Sequence, residues 1–307
     1  MRNKRIRKEN SRGGITMEIV KNVDWLNKNI DQDTIRVIDC RCDLKNPDAG
    51  IEWYKKGHIP NSVYFHLEKD LSAPISNHGG RHPLPNIEEF VHKLENIGVA
   101  KDTIVIAYDN GDGASSGRLW WLMNYIGHSK TYILDGGYKE WLKKDYPTSQ
   151  EVPAFSKSNF SPLIQSHMIA TYEEVSELVK TKDQDKILID SREHKRYTGE
   201  IEPIDKKKGH IPGAINFVWT EGIENGFFLA EREQKSRFSS LDANKEYIVY
   251  CGSGITATPN FISLKMAGLD KVKLYPGSFS DWISYEENEV ATCLPIDLKD
   301  EKEENSL

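Results

Sequence analysis

Cysteine is scarce in this chain of 307 residues: there are four, Cys40, Cys42, Cys251 and Cys293. So few in a chain this long exclude a disulfide framework. Cys40-Arg41-Cys42 lacks the spacing of zinc ligands and has no second pair, so no metal site is expected. No apolar run approaches the ~18 residues of a membrane span. Charge of one sign is also missing: the formal net charge is −6, and a mildly acidic chain is not built to coat nucleic acid or anionic lipid. The opening stretch, MRNKRIRKENSR, is basic but lacks the apolar core of a secretory signal. Residues 1–16 read as a disordered basic extension, and 291–307, with its run KDEKEENSL, as a solvated acidic tail. These absences leave a reduced, cytoplasmic protein with neither nucleic acid nor membrane as a partner.

What is present is repetition. Gly57-His58-Ile59-Pro60 recurs as Gly209-His210-Ile211-Pro212. VIDCR, ending at Arg41, stands before the first copy, and LIDSR, ending at Arg192, before the second. TIVIAYD ends at Asp109 and EYIVYC at Cys251; LDGGYKEW ends at Trp141 and YPGSFSDW at Trp282. Four marks in the same order, offset by about 150 and then about 140 residues, describe one unit used twice. The predicted domains are 17–146 and 166–290, joined by a linker over 147–165 that is rich in breakers.

Each copy reads as α/β. IRVID, TIVIAYD, TYILD, ILID, YIVY and VKLY are apolar on consecutive residues, the pattern of strands buried on both faces of a parallel sheet. Helical periods lie between them. IEEFVHKLENIG begins after Pro85-Asn86 and stops at Gly98, and TYEEVSELVKT has Thr171 as its N-cap with Glu174 three residues on. Strands alternating with helices predict, in each half, a parallel sheet flanked by helices.

The chemistry concentrates at Cys251. The strand EYIVY runs into Cys251-Gly252-Ser253-Gly254-Ile255-Thr256, and TPNFISLKMAG follows as a helix with Pro259 in its first turn. Cys251 therefore stands at the C-terminal end of a buried strand, where ligands bind in open α/β sheets. Gly252 and Gly254 let the loop turn its N–H groups inward, and those donors with the helix N-terminus make a seat for an anion, a thiolate or a persulfide. A strand, loop and helix carrying a reactive Cys also describes C-x5-R phosphatases, but the position of their phosphate-gripping Arg is Ala257 here. Cys40, Cys42 and Cys293 have no such context and read as structural or incidental.

At these residues the chain resembles the rhodanese superfamily, specifically its two-domain sulfurtransferases, over about residues 17–290. GHIPNS, GHIPGA and CGSGITA carry the resemblance. It implies two tandem rhodanese-like domains with the catalytic Cys in the second only, and Asp109 stands where Cys251 does. The neutral hydroxyls of Ser253 and Thr256 resemble the 3-mercaptopyruvate enzymes more than those specialised for thiosulfate. By motif position the resemblance implies Arg196, His82 and Glu68 as substrate-binding residues. A second Arg of that group is absent; Asp205 lies near its place, with Lys206, Lys207 and Lys208 beside it.

The expected reaction follows. The Cys251 thiolate takes sulfur from 3-mercaptopyruvate or thiosulfate, becomes a persulfide, and passes the outer sulfur to cyanide, a small thiol or thioredoxin, with no cofactor. The alternative from another class is a sulfur carrier or rhodanese-like binding module that turns nothing over.

Overall fold

The structure is a computed structural model that describes residues 18–293. The basic extension over 1–16, and all but the first three residues of the acidic tail, lie outside the described residues. In the first half the elements are β1 (Val20–Asn22), α1 (Val23–Asn29), β2 (Ile35–Asp39), α2 (Ala49–Lys56), β3 (Ser62–Tyr64), α3 (Ile87–Asn96), β4 (Ile104–Tyr108), α4 (Ala114–Tyr125), β5 (Thr131–Asp135) and α5 (Gly137–Lys143). The strands form one parallel sheet in the order β1-β5-β4-β2-β3. Its central strands are the runs of consecutive apolar residues, buried on both faces. Asn86 caps α3 by accepting the Glu89 N–H at 3.1 Å, which fixes where that helix begins.

The second half repeats the plan with α6 (Tyr172–Thr181), β6 (Lys186–Asp190), α7 (His194–Thr198), β7 (Ile215–Asn216), β8 (Ile223–Glu224), β9 (Phe227–Phe228), α8 (Glu231–Arg237), β10 (Glu246–Tyr250), α9 (Ala257–Met266), β11 (Val272–Leu274) and α10 (Ser278–Trp282). Its sheet, β11-β10-β6-β7, matches β5-β4-β2-β3. The counterpart of β1 is reduced to one bridge between Ile169 and Leu274. Thr171 caps α6 through the Glu174 N–H at 3.3 Å, as its sequence implies.

The repeated motifs are scaffolding. Asp39 and Asp190 are fully buried at the ends of β2 and β6. Each holds the Arg two residues on, at 2.6 Å in both halves. Arg41 donates onward to the Gly57 carbonyl and Arg192 to that of Gly209, tying each strand to its GHIP turn. In that turn His58 stacks on Tyr54 and His210 on Tyr197, each pair at 3.9 Å. Buried charge is thus neutralised by a partner that also satisfies a turn carbonyl.

Two boundaries differ from the sequence expectation. Ser149, expected in the linker, pairs with His58, and Ala291, expected in the tail, pairs with His210. Each domain closes its GHIP turn with backbone drawn from beyond its last helix, a pairing without side-chain pattern. The remainder of 147–165 contains no helix or strand and lies along the first domain, with Leu163 N–H bonded to Ile126 O and Gln165 N–H to Tyr125 O.

What positions the site is the contact between α4 and α9, the helices that follow Asp109 and the cysteine loop. Nearly all of α4 and the first eight residues of α9 are buried. Helices buried on every side belong in an interior, and here the interior lies between the two sheets, where Ile38 and Trp120 share one core with Val249 and Phe261. The helices touch at Gly117, where a methyl would come within 2.9 Å of Thr258 Oγ1. Among the described residues no helix is long and apolar enough to cross a membrane.

Candidate active site

β10 delivers Cys251 to the C-terminal edge of its sheet, and the loop curls back over it. The Gly254 N–H reaches Cys251 Sγ at 3.1 Å. Gly254 has φ +78 and lies so close to the Pro276 carbonyl that a Cβ would overlap it, so only glycine fits there. The Cys251 N–H is held by Ser278 Oγ at 3.1 Å, and its carbonyl accepts from Phe279 N–H. Cys251 stands at the end of β10, six residues before the start of α9, the position in which a helix N-terminus faces a strand end.

The first repeat shows what such a loop accommodates. Asp109 Oδ1 accepts the N–H groups of Gly111 and Gly113 at 2.8 and 3.2 Å, and Oδ2 accepts the Ser116 N–H and Oγ–H at 3.1 and 2.7 Å. The loop and helix start thus cradle a fixed carboxylate, an anion built into the chain at the position of Cys251. The β8–β9 hairpin of the second domain covers this first loop: Gly226 O accepts Gly136 N–H, and Phe228 N–H donates to Asp135.

In return, residues 78–82 of the first domain cover the cysteine loop. Gly79 N–H donates to Asp281 Oδ1 at 2.6 Å and Arg81 N–H to Ser280 Oγ at 3.1 Å. These bonds bring His82 Nδ1 to 2.8 Å from Ser253 Oγ, uniting two residues that the sequence singles out separately. Arg196, on α7, bonds Glu202 at 2.8 Å and Asp205 at 2.9 Å. It therefore pairs with acids of its own domain while standing about the loop: its Nη2 lies 3.5 Å from where a Gly252 Cβ would be. Glu68 is exposed and lines a cavity of about 330 Å³ together with Arg81 and His82. Thr256 precedes α9 without capping it through its side chain. Burial pushes the Cys42 thiol up to about 12 and raises that of Cys40 as well, in keeping with inert core thiols. Among the described residues no cluster of three His, Cys, Asp or Glu could hold a metal ion. A separate cavity of about 350 Å³ opens beside Lys186 and Lys245, at the other end of β6 and β10 from Cys251.

Two segments, residues 22–144 and 171–285, match the rhodanese-like domain family. The chain belongs to that family. A probable 3-mercaptopyruvate sulfurtransferase of Pseudomonas aeruginosa is 36% identical over 83% of this chain and 92% of its own length. The 3-mercaptopyruvate sulfurtransferase of Escherichia coli K12 is 32% identical over 84% and 92%. The crystal structure of SseA from Escherichia coli superposes with a TM-score of 0.76 at 30% identity, covering 86% of this chain and 99% of that one. The chain is a sulfurtransferase of two rhodanese-like domains.

The residue that sequence reasoning missed in this sulfurtransferase is Arg118, one charge inside the otherwise uncharged helix α4. It is fully buried, and its guanidinium donates to the carbonyls of Leu71, His82, Pro83 and Gly254. Burial pulls it down to about 10, against an opposing attraction to Cys251. A lone Arg within an apolar helical run is the sequence signal that could have found it. Arg118→Met should slow alkylation of Cys251 by iodoacetamide at pH 7 by about tenfold, because a thiolate loses a nearby cation; Arg118→Lys should recover part of the rate. Equal rates in all three proteins would refute this role.

His82 is half-buried, and burial, then the charges of Arg118 and Arg81, push it down to about 4. The unfolded ring takes a proton below about 6.5, so between about 4 and 6.5 the unfolded chain binds more protons and stability rises with pH. Stability should fall on acidification through this window, and His82→Gln should flatten the slope of the urea midpoint against pH. His128 and His210, also lowered by burial, act in the same direction, whereas Asp112, raised to about 7 by burial and by Asp109, acts against them.

Proposed function

We propose that Cys251 is the sulfur carrier, moving a sulfane sulfur from an anionic donor, 3-mercaptopyruvate or thiosulfate, to cyanide, a small thiol or thioredoxin. The observation that carries this reading is the Gly254 N–H directed at Cys251 Sγ at 3.1 Å, in a loop whose repeat twin holds a carboxylate by backbone N–H groups. A persulfide is such an anion. The thiolate attacks the donor's terminal sulfur, an S–S bond forms, and the bond from sulfur to the rest of the donor breaks with its electron pair. With 3-mercaptopyruvate that pair leaves as the pyruvate enolate, which takes the proton of the transferred S–H and becomes pyruvate; with thiosulfate it leaves as sulfite. The acceptor thiolate or cyanide then attacks the outer sulfur and releases the Cys251 thiolate.

His82 and Ser253, in contact at 2.8 Å, stand at the loop as neutral donors and acceptors. His82 remains neutral near pH 7 because its protonated form is disfavoured by burial. The hydroxyls of Ser253 and Thr256 favour 3-mercaptopyruvate over the sulfonate of thiosulfate, and the proposed setting is the cytoplasm, with neither nucleic acid nor membrane as a partner. The test is intact mass after incubation with each donor: one added sulfur atom on the native chain and none on Cys251→Ser. An adduct that survives the substitution sinks the assignment.

A further inference from the structure

The cysteine loop is roofed by an ionic cluster drawn from both domains. Asp205 takes one guanidinium on each oxygen: Arg81 Nη1 of the first domain on Oδ1 and Arg196 Nη2 of the second on Oδ2. The cluster stands over Gly252, where an added Cβ would meet Arg81 Nη2 at 2.8 Å, Arg196 Nη2 at 3.5 Å and Asp205 Oδ2 at 3.6 Å. Beneath it Cys251 is 1% exposed, too covered for a donor to reach.

Asp205 is an unusual choice of roof. It sits on an irregular surface segment between α7 and β7, and its neighbour Ile204 is 60% exposed, yet its own side chain is 2% exposed. One carboxylate has been turned inward from a solvated loop. Glu202 fixes the turn, accepting the N–H groups of Ile204 and Asp205 at 3.0 Å each. Glu202 also holds Arg196 through Nε and Nη2, so Arg196 remains in place when Asp205 leaves. Arg81 is anchored through its backbone to Ser280 and its side chain is 30% exposed. Burial and the nearby Glu202 both disfavour the charged form of Asp205, so the roof is held against a desolvation penalty that its release would relieve.

Arg196 is the substrate-binding arginine that the family resemblance implies; we propose that Arg81, from the other domain, completes with it a two-guanidinium seat for the carboxylate of a small thiol donor, and that Asp205 is an internal stand-in for that carboxylate which the donor must displace to reach Cys251. This rests on the reading of Cys251 as sulfur carrier. It assigns Arg81 a specificity role, since a forked guanidinium on each side grips a planar carboxylate. It also assigns Gly252 the role of leaving room for both.

The test compares the full-length native chain with Asp205→Asn, Arg81→Leu and Arg81→Lys. Cys251 is alkylated with iodoacetate, which carries a carboxylate, and with iodoacetamide, which does not; KM and kcat for 3-mercaptopyruvate are measured beside them. Asp205→Asn should raise the iodoacetate-to-iodoacetamide rate ratio and lower KM, each by about tenfold, as expected when a charged competitor is removed. Arg81→Leu should lower that ratio and raise KM by about tenfold, the loss falling on KM more than on kcat, with Arg81→Lys between. If Asp205→Asn raises KM, or changes both alkylation rates equally, Asp205 is a structural strut and the proposal fails. If the ratio responds as described while no sulfur adduct forms on Cys251, the seat stands and the sulfur-carrier reading fails instead.

Discussion

Cys251→Ser is expected to fold normally and to lose at least about four orders of magnitude in kcat, the scale seen when a covalent nucleophile is removed from an otherwise intact site. The substitution changes one buried atom. A serine oxygen in place of the Cys251 sulfur would still accept the Gly254 N–H, and the flanking bonds to Ser278 and Phe279 involve only the backbone of that position. The hydroxyl, however, is not ionised near neutral pH, and the neighbours of Cys251 offer no base to activate it: Arg118 is a cation, and His82 is engaged with Ser253. Steady-state release of pyruvate or sulfite, with circular dichroism to confirm the fold, measures this directly. Residual turnover above about one part in a thousand would mean that sulfur travels by another route, such as the exposed Cys293.

Arg192→Leu is expected to destabilise the second domain by about 3–5 kcal/mol, the range for removing one partner from a buried ionic cluster. Arg192 is 1% exposed in its side chain and faces two carboxylates, Asp190 at 2.6 Å and Glu202 at 3.1 Å, both wholly buried. It also donates to the Gly209 carbonyl at 2.6 Å. Leucine strands Asp190 and that carbonyl and leaves Glu202 with Arg196 as its remaining cation. Arg41→Leu in the first domain strands one carboxylate, Asp39, and should have the smaller effect. Urea titration followed by domain-specific tryptophan fluorescence separates them; equal shifts would show that Glu202 adds nothing. Because Glu202 also grips Arg196 and turns Asp205 inward, Arg192→Leu should additionally raise KM at urea concentrations where the domain remains folded.

Much of this was legible from the chain. The inner strands β2, β4, β5, β6 and β10 announce themselves because strands covered on both faces must be apolar on consecutive residues. Asn86 and Thr171 mark their helix starts because a side-chain oxygen has to satisfy an orphan N–H. The edge strands β1, β3 and β7 and the β8–β9 hairpin are two or three residues long; so few residues show no period. Their position comes from pairing to a neighbour already in place.

The site divides the same way. Cys251, its glycines and the placement of Asp109 as its twin follow from local backbone chemistry, and the sequence by itself determined them: a sharp loop between a buried strand and a helix dictates its residues one by one. Arg81 and the contact of His82 with Ser253 belong to no local pattern, because their partners lie in the other domain, and Arg118 reaches Gly254 there as well as carbonyls of its own domain; only the packing of α4 on α9 brings these groups together. Asp205 makes the difference plain. In the chain it stands near the place of an absent arginine. In three dimensions it is the carboxylate that two arginines hold beside Gly252 of the cysteine loop, since buried charge must find its opposite wherever the fold supplies one.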